Sequence, residues 1–296
     1  MASMSTGKGR SGFELTMSGG SERIAWYFLR VSGAALVFFA LGHMFITHYL
    51  NAPSETTFNF VADRWANPLW RTFDSLLLIS ALWHGLVGLR FTLADYVPRA
   101  GRAAAYGVLW IVGLIFTVLG LVTIFTFDEA AARDNTGPLA GEIWIGDLLG
   151  YSLYAFALVT YIGVIALAIW VLNNMRNGVA TIYHGDAGQY AWVLHRSTGV
   201  GILFFLLVHI LDIMLVGLGR DVYDHTVEFY AEPFIIPMEL MLVGAVIYHT
   251  LNGVRIIAIN FTKRGPSREK RYFWWVLALS VLLTIPSIFV IFAAEF

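Results

Sequence analysis

Residues 30–43 read RVSGAALVFFALGH, and residues 196–209 read RSTGVGILFFLLVH. The two runs align without a gap, and each follows the pattern Arg-x-Ser/Thr-Gly with a histidine thirteen residues after the arginine. Self-similarity at fixed offsets indicates an internal duplication. The first run ends at His43 and the second at His209, so the duplication carries a histidine into each half of the chain.

The duplication continues around a second histidine in each half. This histidine follows a carboxylate by ten residues and precedes a glycine, an arginine and a polar residue at offsets of 4, 6 and 11. The matching sets are Asp74, His84, Gly88, Arg90 and Asp95 in the first half and Glu239, His249, Gly253, Arg255 and Asn260 in the second. A pattern shared over two pairs of segments is stronger evidence than any single motif.

The composition is that of a membrane protein. Of 296 residues, 58% are apolar and 13% are charged, and the mean hydropathy is +0.68, whereas soluble domains have about 25% charged residues. Seven windows reach the length of about 20 apolar residues that a transmembrane helix needs: 24–50, 70–96, 103–127, 147–173, 190–217, 233–260 and 272–294. We therefore predict an all-α, multi-pass membrane bundle without a nucleic-acid partner, in which spans 1, 2, 5 and 6 form a four-helix core.

The duplication and the loops predict domain order and orientation. We divide the chain into an N-terminal arm (1–22), a first three-span unit (23–127), a connector with the fourth span (128–186) and a second three-span unit (187–296). Because four spans separate span 1 from span 5, the copies run parallel. Loops after spans 2, 4 and 6 carry the excess of basic residues typical of the cytoplasmic side: Arg99, Arg102, Arg176, Lys263, Arg264, Arg268, Lys270 and Arg271. Loops after spans 1, 3 and 5 hold only Arg64, Arg133 and Arg220. We predict a protein of the cell membrane with a cytoplasmic N-terminus and an outer C-terminus.

The four repeated histidines predict a redox function. The chain has no cysteine, so a redox centre needs other ligands, and neutral imidazole is an axial ligand to haem iron. A lone membrane histidine is equally well explained by a hydrogen bond to a neighbouring helix, but four in repeat-related pairs favour coordination. Helical rise puts His84 and His249 roughly 9 Å, and His43 and His209 roughly 20 Å, from the arginine level. We predict a proximal haem b between the first two and a distal haem b between the others.

Other polar and small residues fit this hypothesis. Arginines lie where haem propionates need cationic partners, although interfacial snorkelling explains them too: Arg30, Arg90, Arg196 and Arg255. Gly88 and Gly253 would let a porphyrin approach the backbone or would serve close helix packing. The intramembrane carboxylates Asp74, Glu239 and Asp212 are candidates for a proton relay.

With these residues identified, the chain resembles the two membrane anchors of succinate dehydrogenase and fumarate reductase, fused into one. Leu194-His-Arg-Ser-Thr-Gly199 and Tyr248-His-Thr-Leu-Asn-Gly-Val-Arg255 resemble the cytochrome b subunit. Trp83-His-Gly-Leu-Val-Gly-Leu-Arg90 and Ala94-Asp-Tyr-Val97 resemble the small hydrophobic anchor. The likeness covers spans 1, 2, 5 and 6.

The resemblance implies an enzyme complex with a separate flavoprotein subunit and a separate iron–sulfur subunit, and no dicarboxylate site in this chain. It implies that His84 and His249 hold one haem and that the further pair belongs to two-haem members, which often use menaquinone. It also implies that a quinone, menaquinone or ubiquinone, contacts Arg196 and Tyr96, with Trp192 where the family has a serine, and that His195 lies near a haem propionate. Further association of such complexes, for example as trimers, is left open.

Three other functions remain at this stage. A two-haem anchor of a hydrogenase or formate dehydrogenase would share the four histidines but not the Arg-x-Ser/Thr-Gly and Asp-Tyr patterns. A transporter built from parallel repeats would predict helices broken near the midplane, yet no proline lies in the middle of spans 1, 2, 5 and 6. A purely structural anchor with vestigial haem sites would bind no haem.

Overall fold

The computed structural model of the chain describes residues 20–130, 143–177, 187–261 and 268–295, and within these ranges it contains helices and no strand. Seven described helices are long and apolar enough to cross a membrane. They are α1 (Gly20–His48), α3 (Pro68–Tyr96), α4 (Arg99–Thr126), α5 (Ile143–Asn177), α6 (Ala187–Met214), α8 (Ile236–Phe261) and α9 (Glu269–Glu295). The prediction of an all-α, seven-span membrane bundle is confirmed.

The two ends of α3 show how the sequence begins and ends a helix. Pro68 stands in the first turn of α3, and the Asn67 side chain accepts a hydrogen bond from the backbone N–H of Leu69 at 2.9 Å. At the other end, the Arg102 guanidinium donates to the carbonyls of Ala94 and Val97 at 2.6 and 2.9 Å. Terminal backbone groups have no partner within the helix, so these bonds stabilise both ends of α3.

The central four helices pack in a closed ring. In order around the ring they are α1, α3, α6 and α8, with α8 returning to α1. The outer helices repeat the same scheme, since α4 packs on α3 in the first half and α9 packs on α8 in the second. Helix α5, from the connector, packs against α6 and α8. The arrangement brings the histidine-bearing helices of both halves around one interior.

Two short helices cover one end of the ring. They are α2 (Phe58–Trp65) and α7 (Arg220–Glu228), which contact each other and which we call the cap helices. Helix α2 buries Phe58, Val61, Ala62 and Trp65, the i, i+3, i+4, i+7 spacing of an amphipathic helix. The cap helices follow α1 and α6 and precede α3 and α8, so the four long helices share this end of the bundle, which we call the cap end.

Some predicted features fall on other parts of the chain. Residues 1–19 of the predicted N-terminal arm lie outside the described residues, as do Arg133, Lys263 and Arg264 of the loop count. Parts of the predicted connector, 131–142 and 178–186, also lie outside them. The division into two units and a connector therefore stays a prediction.

Candidate functional site

A cavity of about 880 Å³ lies inside the ring of core helices. Its volume is near the upper end of the range of about 300–1,000 Å³ for ligand pockets. Most of the lining is aliphatic and aromatic, but six histidines also line it: His43, His48, His84, His195, His209 and His249. The four repeated histidines thus face one shared interior.

These four histidines form two pairs across the halves of the chain. The ring centroids of His84 and His249 are 6.3 Å apart, with planes at 88°. Those of His43 and His209 are 6.0 Å apart, with planes at 68°. The helices that meet are α3 with α8 and α1 with α6, and the pairing is the one that the helical-rise argument predicted. Their role as ligands stays a prediction.

Sequence reasoning missed the hydroxyl groups beside the first pair. The Ser32 hydroxyl lies 2.9 Å from Nδ1 of His84, and the Thr198 hydroxyl lies 3.4 Å from Nδ1 of His249. Ser32 and Thr198 occupy the same position of the repeated motif, two residues after its arginine. That shared position was a signal, but the motif alone does not show which neighbouring helix a hydroxyl contacts.

Two further histidines lie in the same cavity, and one of them supports a pair. The His195 ring stacks on His249 with centroids 3.9 Å apart, and its backbone carbonyl lies 3.0 Å from Nδ1 of His249. Its own Nδ1 is buried without a hydrogen-bond partner. Nδ1 of His48 lies 2.8 Å from the hydroxyl of its neighbour Thr47.

The structure brings three of the four arginines predicted as propionate partners to the cavity. Arg30, Arg196 and Arg255 line it. Arg30 lies over the Trp26 ring at 3.4 Å, and Arg255 is 3.3 Å from the Glu269 carboxylate. Arg90 does not line the cavity.

Arg90 instead belongs to the contact between α3 and α4. It forms an ion pair with Glu22 and lies 5.1 Å from the ring centroid of Tyr106. Its place in the repeat matches that of Arg255. The Arg90 charge is instead balanced by the Glu22 carboxylate of α1, and the aromatic face of Tyr106 in α4 lies beside it.

Two of the three predicted quinone residues line the cavity, at the end opposite the cap helices. The Arg196 guanidinium lies 4.1 Å from the Trp192 ring centroid and forms an ion pair with Asp95 of α3. Trp192 and Arg196 line the cavity, whereas Tyr96 is 70% exposed and does not. Tyr96 directly follows Asp95, so the ion pair joins α6 to the α3 turn that carries it.

The three predicted relay carboxylates all line the cavity but have different surroundings. Asp74 forms a bidentate ion pair with Arg64, at 2.7 and 2.9 Å, and accepts from Nε1 of Trp65 at 2.9 Å. Asp212 is buried and accepts from the Tyr230 hydroxyl at 2.9 Å. Glu239 is buried near the start of α8.

The residues present fit a haem better than a bare metal ion. Among the described residues, no group of three or more His, Asp and Glu side chains is close enough to bind an ion. The histidines come in pairs, and axial coordination of haem iron uses two ligands. A Cβ on Gly88 would meet no atom within 4 Å, and one on Gly253 would approach only His195, at 3.8 Å. Both glycines line the cavity, which keeps space beside the backbone.

Fold and site together define a class: a multi-pass helical membrane protein whose repeat-related core helices present histidine pairs to one interior cavity. Residues 14–123 and 172–286 match the family model of the succinate dehydrogenase/fumarate reductase transmembrane subunit. The chain belongs to this family. It is the membrane anchor subunit of such an enzyme, and as an anchor it associates with the other subunits of the complex.

Curated relatives agree with the family. The succinate dehydrogenase 2 membrane subunit SdhC of Mycobacterium tuberculosis is 38% identical over 116 residues, which are 39% of this chain and 85% of that protein. The succinate dehydrogenase hydrophobic membrane anchor subunit of Halobacterium salinarum is 27% identical over 104 residues, 35% of this chain and 79% of that protein. Hydrogenase and formate dehydrogenase anchors, and a transporter, are thereby set aside.

Proposed function

We propose that this anchor binds two haem b groups and a quinone and carries electrons from an iron–sulfur subunit to the quinone. His84 and His249 would hold the proximal haem, and His43 and His209 the distal one. The observation that carries the proposal is the spacing of the two pairs. Because a metal–imidazole bond is about 2 Å long, two imidazoles that held one iron between them would have ring centroids about 6 Å apart. The observed 6.3 and 6.0 Å agree with this value.

The chain itself would bind and orient the two groups. Bound haem b would supply a one-electron carrier at each histidine pair. The apolar cavity wall excludes water from both pairs, and the porphyrin faces would lie beside Gly88 and Gly253. Arg30, Arg196 and Arg255 provide positive charge for propionates at the end opposite the cap helices.

Arg196 also supports the proposed quinone site at that end. Its guanidinium, oriented by Trp192 and Asp95, can donate hydrogen bonds to a quinone carbonyl. Tyr96 lies on the adjoining turn and can donate through its hydroxyl. The quinone is menaquinone or ubiquinone, and its ring would enter from the lipid beside these residues.

At the cap end, buried carboxylates would form the outer part of a proton relay that runs along the cavity to the quinone end. Asp212 and Glu239 are both buried, and Asp212 accepts from Tyr230, whereas Asp74 is held in an ion pair by Arg64. Burial and the nearby Asp212 raise the pKa of Tyr230, which lies outside the spans. The Tyr230 hydroxyl therefore stays protonated and can donate to Asp212.

The orientation follows from the basic residues. Arg99, Arg102, Arg268, Lys270 and Arg271 lie at the starts of α4 and α9, opposite the cap end. By the positive-inside rule this end faces the cytoplasm of a cell membrane. The flavoprotein and iron–sulfur subunits would dock there, next to Arg196 and the proximal histidines. A reporter enzyme that folds only on the outer side of the membrane should therefore be active when it is fused to the C-terminus.

The experiment that tests the proposal is haem counting on the purified complex. Pyridine haemochrome absorbance should give two haem b per chain. Variants His84→Leu and His249→Leu should each lose the proximal haem, and His43→Leu and His209→Leu should each lose only the distal one. His225→Leu is the matched control, because His225 lies outside the cavity and pairs with Asp147 at 2.7 Å.

Each result decides one part of the proposal. One haem per chain, lost in the His84 and His249 variants alone, would make the other pair structural. Full haem content in all four variants would show that the ligand assignment is wrong. A complex without haem would leave the chain as a purely structural anchor.

A further inference from the structure

The repeated Arg-x-Ser/Thr-Gly motif contains a hydroxyl and a glycine for which the proposed function has no use. We infer that Ser32 and Gly33 in the first half, and Thr198 and Gly199 in the second, are positioning residues that fix the tautomer and rotation of His84 and His249, so that Nε2 of each ring is the ligand nitrogen. This inference rests on the proposed haem function. It assigns a role to the hydroxyl residue and to the glycine of the motif.

The proton on the Ser32 hydroxyl decides the tautomer of His84. That hydroxyl donates to the Phe28 carbonyl at 2.6 Å, one turn earlier in α1. A hydroxyl has only one proton to donate. It must therefore accept at its 2.9 Å contact with His84, so Nδ1 of His84 carries the proton. The other ring nitrogen, Nε2, keeps a free lone pair.

The second half reaches the same tautomer through two acceptors. Nδ1 of His249 lies 3.0 Å from the His195 carbonyl, which can only accept. The Thr198 hydroxyl donates to the Leu194 carbonyl at 2.7 Å and lies 3.4 Å from the same nitrogen. Nδ1 of His249 is thus protonated, with the carbonyl as the closer partner. Loss of the Thr198 hydroxyl should matter less than loss of the Ser32 hydroxyl.

The glycine of the motif fixes the ring against the helix. A Cβ on Gly33 would lie 3.2 Å from Cε1 of His84, and one on Gly199 would lie 2.8 Å from Cε1 of His249. Each ring edge therefore rests on the backbone of the neighbouring helix, where a larger residue would displace it. Because the contact involves Cε1, between the two nitrogens, it limits rotation while Nδ1 is bonded.

The other histidine pair has no such support on the His43 side. Nδ1 of His43 is buried and has no hydrogen-bond partner in the described part of the chain. The motif lies near the start of α1 and α6, whereas His43 and His209 lie thirteen residues after its arginine. The inference therefore concerns one haem only, and the other serves as an internal reference in the same sample.

The test is redox titration and low-spin electron paramagnetic resonance of the complex carrying Ser32→Ala, Ser32→Thr and Thr198→Val. An Nδ1–H bond makes the imidazole a stronger donor and favours ferric iron, and loss of such a partner typically costs about 10–100-fold in metal affinity. For Ser32→Ala we expect about tenfold weaker ferric binding, which is an upward shift of about 59 mV in the proximal haem potential. The distal haem should not move.

Two variants keep the test decisive. Ser32→Thr retains the hydroxyl and should restore both the potential and the spectrum, and Thr198→Val should give a smaller shift than Ser32→Ala. Ser280→Ala is the matched control. Ser280 is as buried as Ser32, 7% exposed, and donates to the carbonyl one turn earlier, but it lies in α9.

The outcomes separate this inference from the proposed function. If the wild-type complex has no haem at His84 and His249, the proposed function is wrong. If that haem is present and Ser32→Ala leaves its potential and spectrum unchanged, the positioning role is wrong while the ligand assignment stands. A shift in both haems would also overturn the inference, because it would indicate a general loosening of the bundle.

Discussion

The imidazole of His195 stacks on that of His249, with centroids 3.9 Å apart and planes only 8° from parallel. The two residues belong to neighbouring core helices, α6 and α8, and the His195 backbone also accepts the Nδ1–H of His249. One residue thus supports the proposed ligand through both its ring face and its carbonyl. Among the described residues, none bonds to Nδ1 of His195, and under the proposed function this nitrogen would donate to a haem propionate.

Replacing His195 should separate these contributions. His195→Phe keeps a ring face on His249 and loses the nitrogens, so the proximal haem should be retained with an altered midpoint potential. His195→Ala loses the stack as well, so haem should dissociate faster and the low-spin signal should broaden. Haem content and redox titration of the purified complex measure both effects. Wild-type haem retention in His195→Ala would contradict the supporting role.

The two motif glycines should differ in tolerance. A methyl group at Gly199 would have to displace the His249 ring, whereas at Gly33 a shift of a few tenths of an ångström in His84 is enough. Overpacking of this kind costs about 1–3 kcal/mol. We expect Gly199→Ala to lower haem content and the temperature of Soret loss more than Gly33→Ala. Gly107→Ala is the control, since a Cβ there meets no atom within 4 Å. The reverse order would contradict the packing argument.

The sequence predicted how the histidines pair because the pairing depends on periodicity. Parallel copies put equivalent residues at equal heights, and helical rise separates the two levels. The sequence did not predict contacts that depend on how a helix is rotated about its axis, such as the contact between Ser32 and His84. The sequence also did not predict the role of Arg90, because its partners Glu22 and Tyr106 lie on two other helices, α1 and α4.

The position of Arg64 was not predicted from the sequence for a different reason. The sequence placed it in a loop between spans, because the eight residues of α2 are too few to cross a membrane. In the structure α2 turns its apolar side to the bundle, and Arg64 lines the cavity as the partner of Asp74. A pattern of four apolar residues at helical spacing was the available signal.

The Arg64–Asp74 pair gives a stability prediction. Its side chains are 10% and 15% exposed, and removing one partner of a buried pair costs about 3–5 kcal/mol because a charge is left uncompensated. Arg64→Leu and Asp74→Leu should each lower the melting temperature of the complex, and the double variant should recover most of the loss. Additive losses in this double-mutant cycle would show that the two side chains do not interact.

The buried contact of Asp212 with Tyr230 tests the relay. Asp212→Asn removes the ionisable group, and Tyr230→Phe removes its hydrogen-bond donor. If Asp212 passes protons along the cavity to the quinone end, Asp212→Asn should slow quinone turnover by about 100-fold, the scale of general acid–base catalysis, without loss of haem. Succinate-driven quinone reduction, measured from acidic to alkaline pH, gives the rates. Asp147→Asn is the control, because Asp147 is bonded to His225 outside the cavity. Unchanged rates at every pH would exclude the relay through Asp212.

Arg196 and Tyr96 should affect quinone chemistry more than haem binding. A hydrogen bond to a charged group contributes about 1.5–3 kcal/mol, so Arg196→Ala should reduce kcat/KM for quinone by about tenfold or more. Arg196→Lys should recover little, because lysine lacks the planar group that lies over Trp192. Tyr96→Phe removes only a hydroxyl and should have a smaller effect.

The measurement is steady-state quinone reduction with haem content determined on the same sample. Arg99→Ala is the matched control, an exposed cation at the same end of the bundle, at the start of α4. Because Arg196 lines the haem cavity as well, equal losses of haem and of activity would assign it to the propionates alone. Unchanged quinone kinetics in both Arg196→Ala and Tyr96→Phe would show that the quinone binds elsewhere.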